Sequence, residues 1–233
     1  MISIFVPIRK GSKRVKNKNI KRFNKYKLGL TELKILQLKR LKEKVVKKKF
    51  FNHDFEFIVS TDILSVKKVC KKFKWIKIHN RKPSLSGDNS LQKLIDIVPE
   101  ICSGKYILWT HVTSPFFSSN SYINFLKTFF NNKKQKKIQS AFSANLIGKF
   151  VYCKKKGWIS HDSKKIKWPR TQDLKPLFSM NSAAIISERE VYINKKDRLC
   201  KSPLPILSNL KEGFDVDNNK DFEIVSNKKK IPI

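Results

Sequence analysis

Residues 8–19 of this 233-residue chain, IRKGSKRVKNKN, hold its densest grouping of chemistry-bearing side chains. Arg9, Lys10, Lys13, Arg14, Lys16 and Lys18 surround Gly11 and Ser12. A glycine lets backbone N–H groups approach an oxyanion closely, a hydroxyl adds a donor, and cations offset the charge of a phosphate chain. The segment is no P-loop, because G-x-x-x-x-G-K-[ST] is absent, and it lacks the G-x-G-x-x-G of a dinucleotide turn. An ordinary solvated turn has the same composition, so its place in the fold decides between the two readings. Near the other end, Asp215 and Asp217 stand at i and i+2. On an extended segment such carboxylates face the same way and can share a hard cation such as Mg2+ with substrate phosphates. The competing reading makes Asp217 the N-cap of a final helix.

Two further clusters carry weaker signals. RKPSLSGD at 81–88 supplies Arg81, the Ser86 hydroxyl and Asp88 ahead of a helix, although Asp88 also suits a cap. WPRTQD at 168–173 sets Arg170, a natural carboxylate partner, beside Gln172, which can bond sugar hydroxyls; an exposed polar loop reads the same way. Of the four histidines, His111 alone falls in a strand-end segment. No G-x-S-x-G elbow supports a serine hydrolase.

These residues need a scaffold that gathers them. Residues 2–6, 55–59 and 106–109 are short apolar runs that read as buried strands. Between them, Leu33, Leu36, Leu38, Leu41 and Val45 recur at mostly helical spacing in 31–46, and helical patterns also cover 65–73, 91–101 and 122–130. Such alternation predicts an α/β fold, a mostly parallel twisted sheet with helices on both faces. From Gln139 the rhythm changes to short strand-like runs at 141–142, 150–152 and 183–186, which predicts a small antiparallel addition. A last short helix covers 222–225, within a single domain spanning 1–233. Ligands of open α/β sheets sit beyond the carboxyl ends of the strands. The segments 8–19, 60–62 and 110–115 should therefore face one crevice.

Apolar residues make up 40% of the chain, enough for a packed core. The net charge of +34 suggests a nucleic-acid-binding module as an alternative function. However, only eight of the 52 basic residues are arginine, the better residue for bidentate phosphate and guanine contacts. A solvated lysine surface is the plainer account, and no specific nucleic acid is expected. The four cysteines form no C-x-x-C pair and read as reduced thiols of a cytoplasmic protein. The N-terminal apolar run precedes the basic cluster, the reverse of a signal peptide, and no run approaches the ~20 residues of a membrane helix.

In order along the chain, these segments resemble the acylneuraminate cytidylyltransferases, the synthetases of CMP-sialic acid and of related CMP-nonulosonates. VPIRKGSKRVKNKN at 6–19 is similar to the family's P-A-R-x-G-S-K-R-x-x-x-K-N, and VSTD at 59–62 to its V-S-T-D. Residues 81–88 resemble R-P-x-x-L-x-x-D with one residue inserted, and TSP at 113–115 matches the end of Q-P-T-S-P. RTQDL at 170–174, NSA at 181–183 and FDVD at 214–217 resemble R-x-Q-D-L, N-x-A and F-D-I-D. CMP-KDO synthetases, the second enzyme alternative, lack the G-S-K-R…K-N opening. The resemblance implies a nucleotide-diphospho-sugar transferase-like fold and transfer of CMP from CTP to an acidic nonulosonic sugar (sialic, legionaminic or pseudaminic acid), with release of pyrophosphate. It implies that Arg9, Gly11, Ser12, Lys13, Lys18 and Asn19 hold the triphosphate, with Lys18 and Arg9 catalytic, Lys18 from a solvated loop. Arg81, Ser86 and Asp88 would contact cytosine and ribose, and Asp215 and Asp217 would hold Mg2+. His111, Thr113, Arg170, Gln172 and Asn181 would meet the sugar. Residues ~140–182 would form a projection that makes a homodimer and reaches the partner's sugar pocket. Two positions depart from the pattern: Ile8 replaces the alanine of P-A-R, and His111 replaces the glutamine before P-T-S-P.

Overall fold

A computed structural model describes residues 1–48, 50–87 and 89–233; Asp88 therefore lies outside the described residues. The parallel half of the sheet is β1 (Ile2–Ile8), β2 (Phe55–Thr61), β3 (Ile76–Asn80) and β4 (Tyr106–Trp109). The helices threaded among them are α1 (Gly29–Lys48), α2 (Leu64–Cys70) and α3 (Leu91–Ile101), and α4 (Ser119–Gln135) follows β4. The second half adds β5 (Ser140–Ile147), the short hairpin β6 (Tyr152–Cys153) and β7 (Gly157–Trp158), β8 (Leu177–Glu188), α5 (Arg189–Lys195), β9 (Leu204–Leu207) and α6 (Asn219–Ser226). Seven strands form one sheet in the order β3-β2-β1-β4-β8-β5-β9. Of these, only β8 runs against its neighbours.

The sheet is covered on both sides, as the near-continuous apolar strands demand. In β1 the two-residue period sends Ile2, Ile4, Val6 and Ile8 into a core shared with α1, α2, α4 and α6, while Phe5 joins Leu94, Val98, Trp109 and Tyr192 beneath α3 and α5. The capping box of α4 is built by Ser118 and Ser121.

Several elements escaped the sequence reading, each for a physical reason. β3 is an edge strand whose IKIHN pattern mixes Lys77 and His79 with two isoleucines, so it has no clean apolar run. β9 carries Pro205, which an edge strand tolerates because one side of its backbone needs no partner. β8 extends to Leu177 because its first half pairs with β5 outside the main core, where apolar patterning is not required. α5, two turns long, offers too few periods to read.

The chain leaves β1 for β2 and β3 on one side and returns to β4 on the other, which makes the β1/β4 gap the switch point of the sheet. The gap also has a local cause. Phe5 supplies the last carbonyl of that ladder, to Thr110 N at 3.0 Å. Pro7, two residues on, has no N–H to continue it.

Candidate active site

The loop after β1 is held at both ends. Val15 is buried in the core. Asn19 Nδ2 donates to the Arg9 carbonyl at 3.1 Å, and its own carbonyl accepts from Thr31 N and Oγ1 at 2.9 and 2.7 Å. Lys10 N donates to Asp62 Oδ1 at 2.8 Å, at the end of β2. Gly11 has φ +82°, with no atom within 4 Å of a notional Cβ, so its requirement is conformational rather than steric.

Beyond the β1/β4 gap opens a cavity of about 470 Å³. Arg9, Ser12, Lys13, Lys18 and Asn19 line one side, Arg81 and the start of α3 another, and Trp109, His111 and Thr113 the floor. Gly11 faces a second hollow on the far side of the same loop, with Asp62. Ser86 is half-buried; its carbonyl accepts from Arg9 Nη1 at 3.2 Å, and its Oγ has no partner among the described residues. Arg81 spends Nε and Nη2 on the Leu85 carbonyl, fixing the turn at Pro83–Leu85.

The late aspartates stand beside this cavity, against its lining residues Arg14, Lys18 and Thr113. Val216 is buried and its N donates to the Thr113 carbonyl at 2.8 Å, which draws the extended 214–217 segment against the floor. Arg14 Nη2 then pairs with Asp217 Oδ1 at 2.8 Å, across 203 residues of chain. Lys18 Nζ donates to the Val216 carbonyl and stands 3.9 Å from Asp217. Its side chain is only 12% exposed, a correction to the solvated loop position expected of it. Burial lowers the Lys18 pKa, against the opposing pull of Asp215 and Asp217. Burial raises that of Asp215, against the hydrogen bond from the Thr113 side chain, while Asp217 adds to the rise. The cap of α6 is Asn218, in a reciprocal box with Asp221 at 3.1 and 2.9 Å, so Asp217 does not cap the helix.

The two carboxylates suit a hard divalent cation. Asp215 Oδ1 is buried and, among the described residues, has no hydrogen-bond partner, an orphaned acceptor beside a second carboxylate. Among the described residues no group of three or more His, Cys, Asp or Glu stands together. The remaining ligands would come from substrate oxygens and water, the usual arrangement for Mg2+.

His111 is held by its neighbour. The Trp109 indole N–H donates to His111 Nε2 at 3.0 Å, and an indole can only donate, so the neutral ring carries its proton on Nδ1. Burial, followed by the charges of Arg198, Lys34, Lys18 and Arg81, holds the imidazole far below its ordinary pKa.

The sequence reading missed Lys34. It is 1% exposed, and its Nζ donates to the Ser114 carbonyl at 3.1 Å and to Tyr122 Oη at 2.8 Å. Tyr122 Oη in turn donates to Thr110 Oγ1 at 2.5 Å, since the Thr110 hydroxyl gives its own proton to the Ala183 carbonyl at 2.7 Å. Gln37, one turn along α1, donates to the Pro115 carbonyl at 2.7 Å. Lys34 and Gln37 both interrupt the stripe of Leu30, Leu33, Leu38 and Leu41, and that interruption was the available signal.

Three expected sugar residues lie elsewhere. Arg170 is exposed and pairs with Asp173 at 2.8 Å. Gln172 lines a separate groove with Leu146 and Lys175. Asn181 is enclosed: its amide nitrogen donates to Asn145 Oδ1 at 2.9 Å and Ser208 Oγ at 2.7 Å, and its oxygen accepts from Ser143 Oγ at 2.6 Å. Gly213 packs so closely there that a Cβ would lie 2.1 Å from Asn145 Oδ1.

Comparison with known proteins bears on the family and the fold. Residues 3–206 match the family model described as cytidylyltransferase. An N-acylneuraminate cytidylyltransferase of Streptococcus agalactiae serotype III (strain NEM316) is 25% identical over 169 residues, 72% of this chain. The match spans 41% of that relative's length. Among solved structures, a CMP:2-keto-3-deoxy-manno-octonic acid synthetase complexed with CTP superposes with a TM-score of 0.60 at 14% identity, covering 97% of this chain and 96% of the other. A 4-diphosphocytidyl-2C-methyl-D-erythritol synthase from Anaerococcus prevotii DSM 20548 gives 0.61 at 13%, covering 97% and 94%. Such likenesses speak to the fold alone. With a model match over most of its length, the chain belongs to the cytidylyltransferase family.

Proposed function

We propose that this protein transfers CMP from CTP to an acidic nonulosonic sugar and releases pyrophosphate. One observation carries the reading: Arg14 and Lys18 of the loop after β1, which line the cavity at the switch point, are in contact with the segment carrying Asp215 and Asp217 from the other end of the chain. A nucleoside triphosphate brings the two things this arrangement suits, phosphate oxygens for the cations and a partner for carboxylate-bound metal. The ordered motifs and the N-acylneuraminate relative support the acceptor class.

In this reading the acceptor's anomeric hydroxyl gives up its proton to water as its oxygen forms a bond to the α-phosphorus and the bond from that phosphorus to the pyrophosphate oxygen breaks. Lys18, tied to Val216, is positioned to offset charge at the α-phosphate, and Arg9, Ser12 and Lys13 would hold the phosphate chain, with Gly11 setting the turn of the loop that carries them. Asp215 and Asp217 would hold Mg2+, which when bound neutralises the leaving pyrophosphate. Arg14, which pairs with Asp217, also lines the cavity and would add a further cation for the phosphate chain. Arg81, already anchored to Leu85, would present its remaining N–H groups toward the base and ribose with Ser86.

The assembly in this reading is a homodimer through the projection. Tyr152 and Trp168 are 61% and 64% exposed there, with Ile166, Phe178 and Met180 also exposed, apolar surface that a partner copy would cover. Arg170 and Gln172 would then be presented to the partner's cavity. Cys70, Cys102, Cys153 and Cys200 are free, which suits a reducing, cytoplasmic setting, and among the described residues no helix is long and apolar enough to cross a membrane. The test is pyrophosphate release from CTP and Mg2+ with N-acetylneuraminic, legionaminic and pseudaminic acids and with KDO. Turnover with a nine-carbon acid is expected. Turnover with KDO alone would reassign the acceptor, and release with no acid at all would reject the reaction.

A further inference from the structure

Arg198 lies in the turn after α5, and no sequence motif points to it. Its guanidinium carbon sits 4.9 Å from the centre of the Trp109 ring, and Trp109 and His111 floor the cavity. Among the cations acting on His111, Arg198 is the strongest, ahead of Lys34, Lys18 and Arg81. The backbone that carries it is fixed: its N donates to Asp197 Oδ1 at 2.5 Å, and its carbonyl accepts from Ser187 Oγ. Asp197 Oδ1 also accepts from Leu199 N at 3.3 Å, and the Tyr192 hydroxyl and the Asp197 carboxylate act on the guanidinium electrostatically without bonding to it. Among the described residues the Arg198 guanidinium forms no ion pair and no hydrogen bond. It is thus a half-buried cation, held over an aromatic face, with its planar set of N–H donors unspent.

We propose that Arg198 receives the carboxylate of the acid acceptor, on the Trp109–His111 side of the cavity, and so selects acidic over neutral sugars. The inference rests on the cytidylyltransferase reading and gives Arg198 the role that the motif at 170–174 suggests for Arg170. A carboxylate suits the site because a guanidinium offers two parallel N–H bonds to its two oxygens. His111, neutral and protonated on Nδ1, adds a donor without adding charge. The other anion within reach is the triphosphate, and the kinetics below separate the two.

Steady-state kinetics on the full chain with CTP, Mg2+ and the nonulosonic acid turned over best, and with the C1 amide of that acid, provide the test. The wild type should favour the acid over the amide by about 10- to 100-fold in kcat/KM, the range for a charged hydrogen-bonded pair. Arg198→Ala should raise KM for the acid by a similar factor, leave KM for CTP within about twofold, and lose most of the acid-over-amide preference. An unchanged preference overturns the proposal. So does an equal rise in both KM values, which would put the guanidinium on the triphosphate. If Arg198→Ala fails to fold, Arg198→Lys should keep part of the preference and Arg198→Gln lose it; equal preference in those two also overturns the proposal. Absence of CTP turnover by the wild type with every acid rejects the reaction itself, whereas normal turnover with undiminished selectivity in the variants rejects Arg198 alone.

Discussion

Replacing Lys34 with methionine should change how stability depends on pH, and the size of the change follows from burial. The Lys34 ammonium is removed from water beneath the 113–115 turn, with the Ser114 carbonyl and Tyr122 Oη as its partners. Burial lowers its pKa from 10.5 to about 7, with Asp215 partly opposing the shift. A lysine whose pKa falls on folding binds more protons in the unfolded chain between those two values. Its contribution is therefore fully present above pH 10.5 and lost as pH falls to about 7. The slope in that window is about 1.4 kcal/mol per pH unit, which integrates to about 2.5 kcal/mol between pH 7.5 and 9.5. Urea unfolding of wild type and Lys34→Met at matched salt supplies the difference curve. The thiols of Cys70 and Cys102, pushed up to about 11 and about 12 by burial, destabilise the fold as pH rises, but equally in both proteins. The Tyr122 hydroxyl, also pushed up by burial, stays neutral throughout. Methionine leaves the Ser114 carbonyl without that donor, a cost that shifts the difference without giving it a slope. Wild type should gain on the variant as pH rises; a flat difference would refute the placement of a buried, titrating ammonium.

Lys18→Ala should lower turnover by about 100-fold or more, measured as pyrophosphate release, because a donor aimed at developing phosphate charge would be lost. Unlike a surface lysine, it should also cost some stability, since Lys18 binds the Val216 carbonyl from a largely covered position. Asp217→Asn should weaken the Mg2+ dependence of the rate while leaving thermal unfolding nearly unchanged, whereas Asn218→Ala should cost about 1 kcal/mol by uncapping α6. An unaltered metal titration in Asp217→Asn would remove that carboxylate from the metal site. Gly11→Ala should raise KM for CTP more than KM for the acceptor, because alanine disfavours φ +82° by about 1 kcal/mol and the loop must shift. Equal KM values would show that this turn does not shape the phosphate site.

The sequence by itself determined the alternating scaffold and the order of the motifs. Patterns of two and of 3.6 residues are local, so β1, β2, β4, α1 and α3 were legible from their own side chains. Loop 8–19 was legible for the same reason, its charge and glycine being confined to twelve residues. Tertiary structure decided what depends on distant chain segments. That Arg14 meets Asp217 depends on the Val216–Thr113 bond that draws the 214–217 segment onto the floor, whereas the choice of Asn218 as the cap of α6 is local, made by its reciprocal box with Asp221. Lys34 and Arg198 resemble many other basic residues in a chain with 52 of them. Only the packing of α1 under the 113–115 turn buries one, and only the turn after α5 lays the other over Trp109. Charge identity is written residue by residue, whereas its desolvation and its partners come from whatever the fold brings alongside.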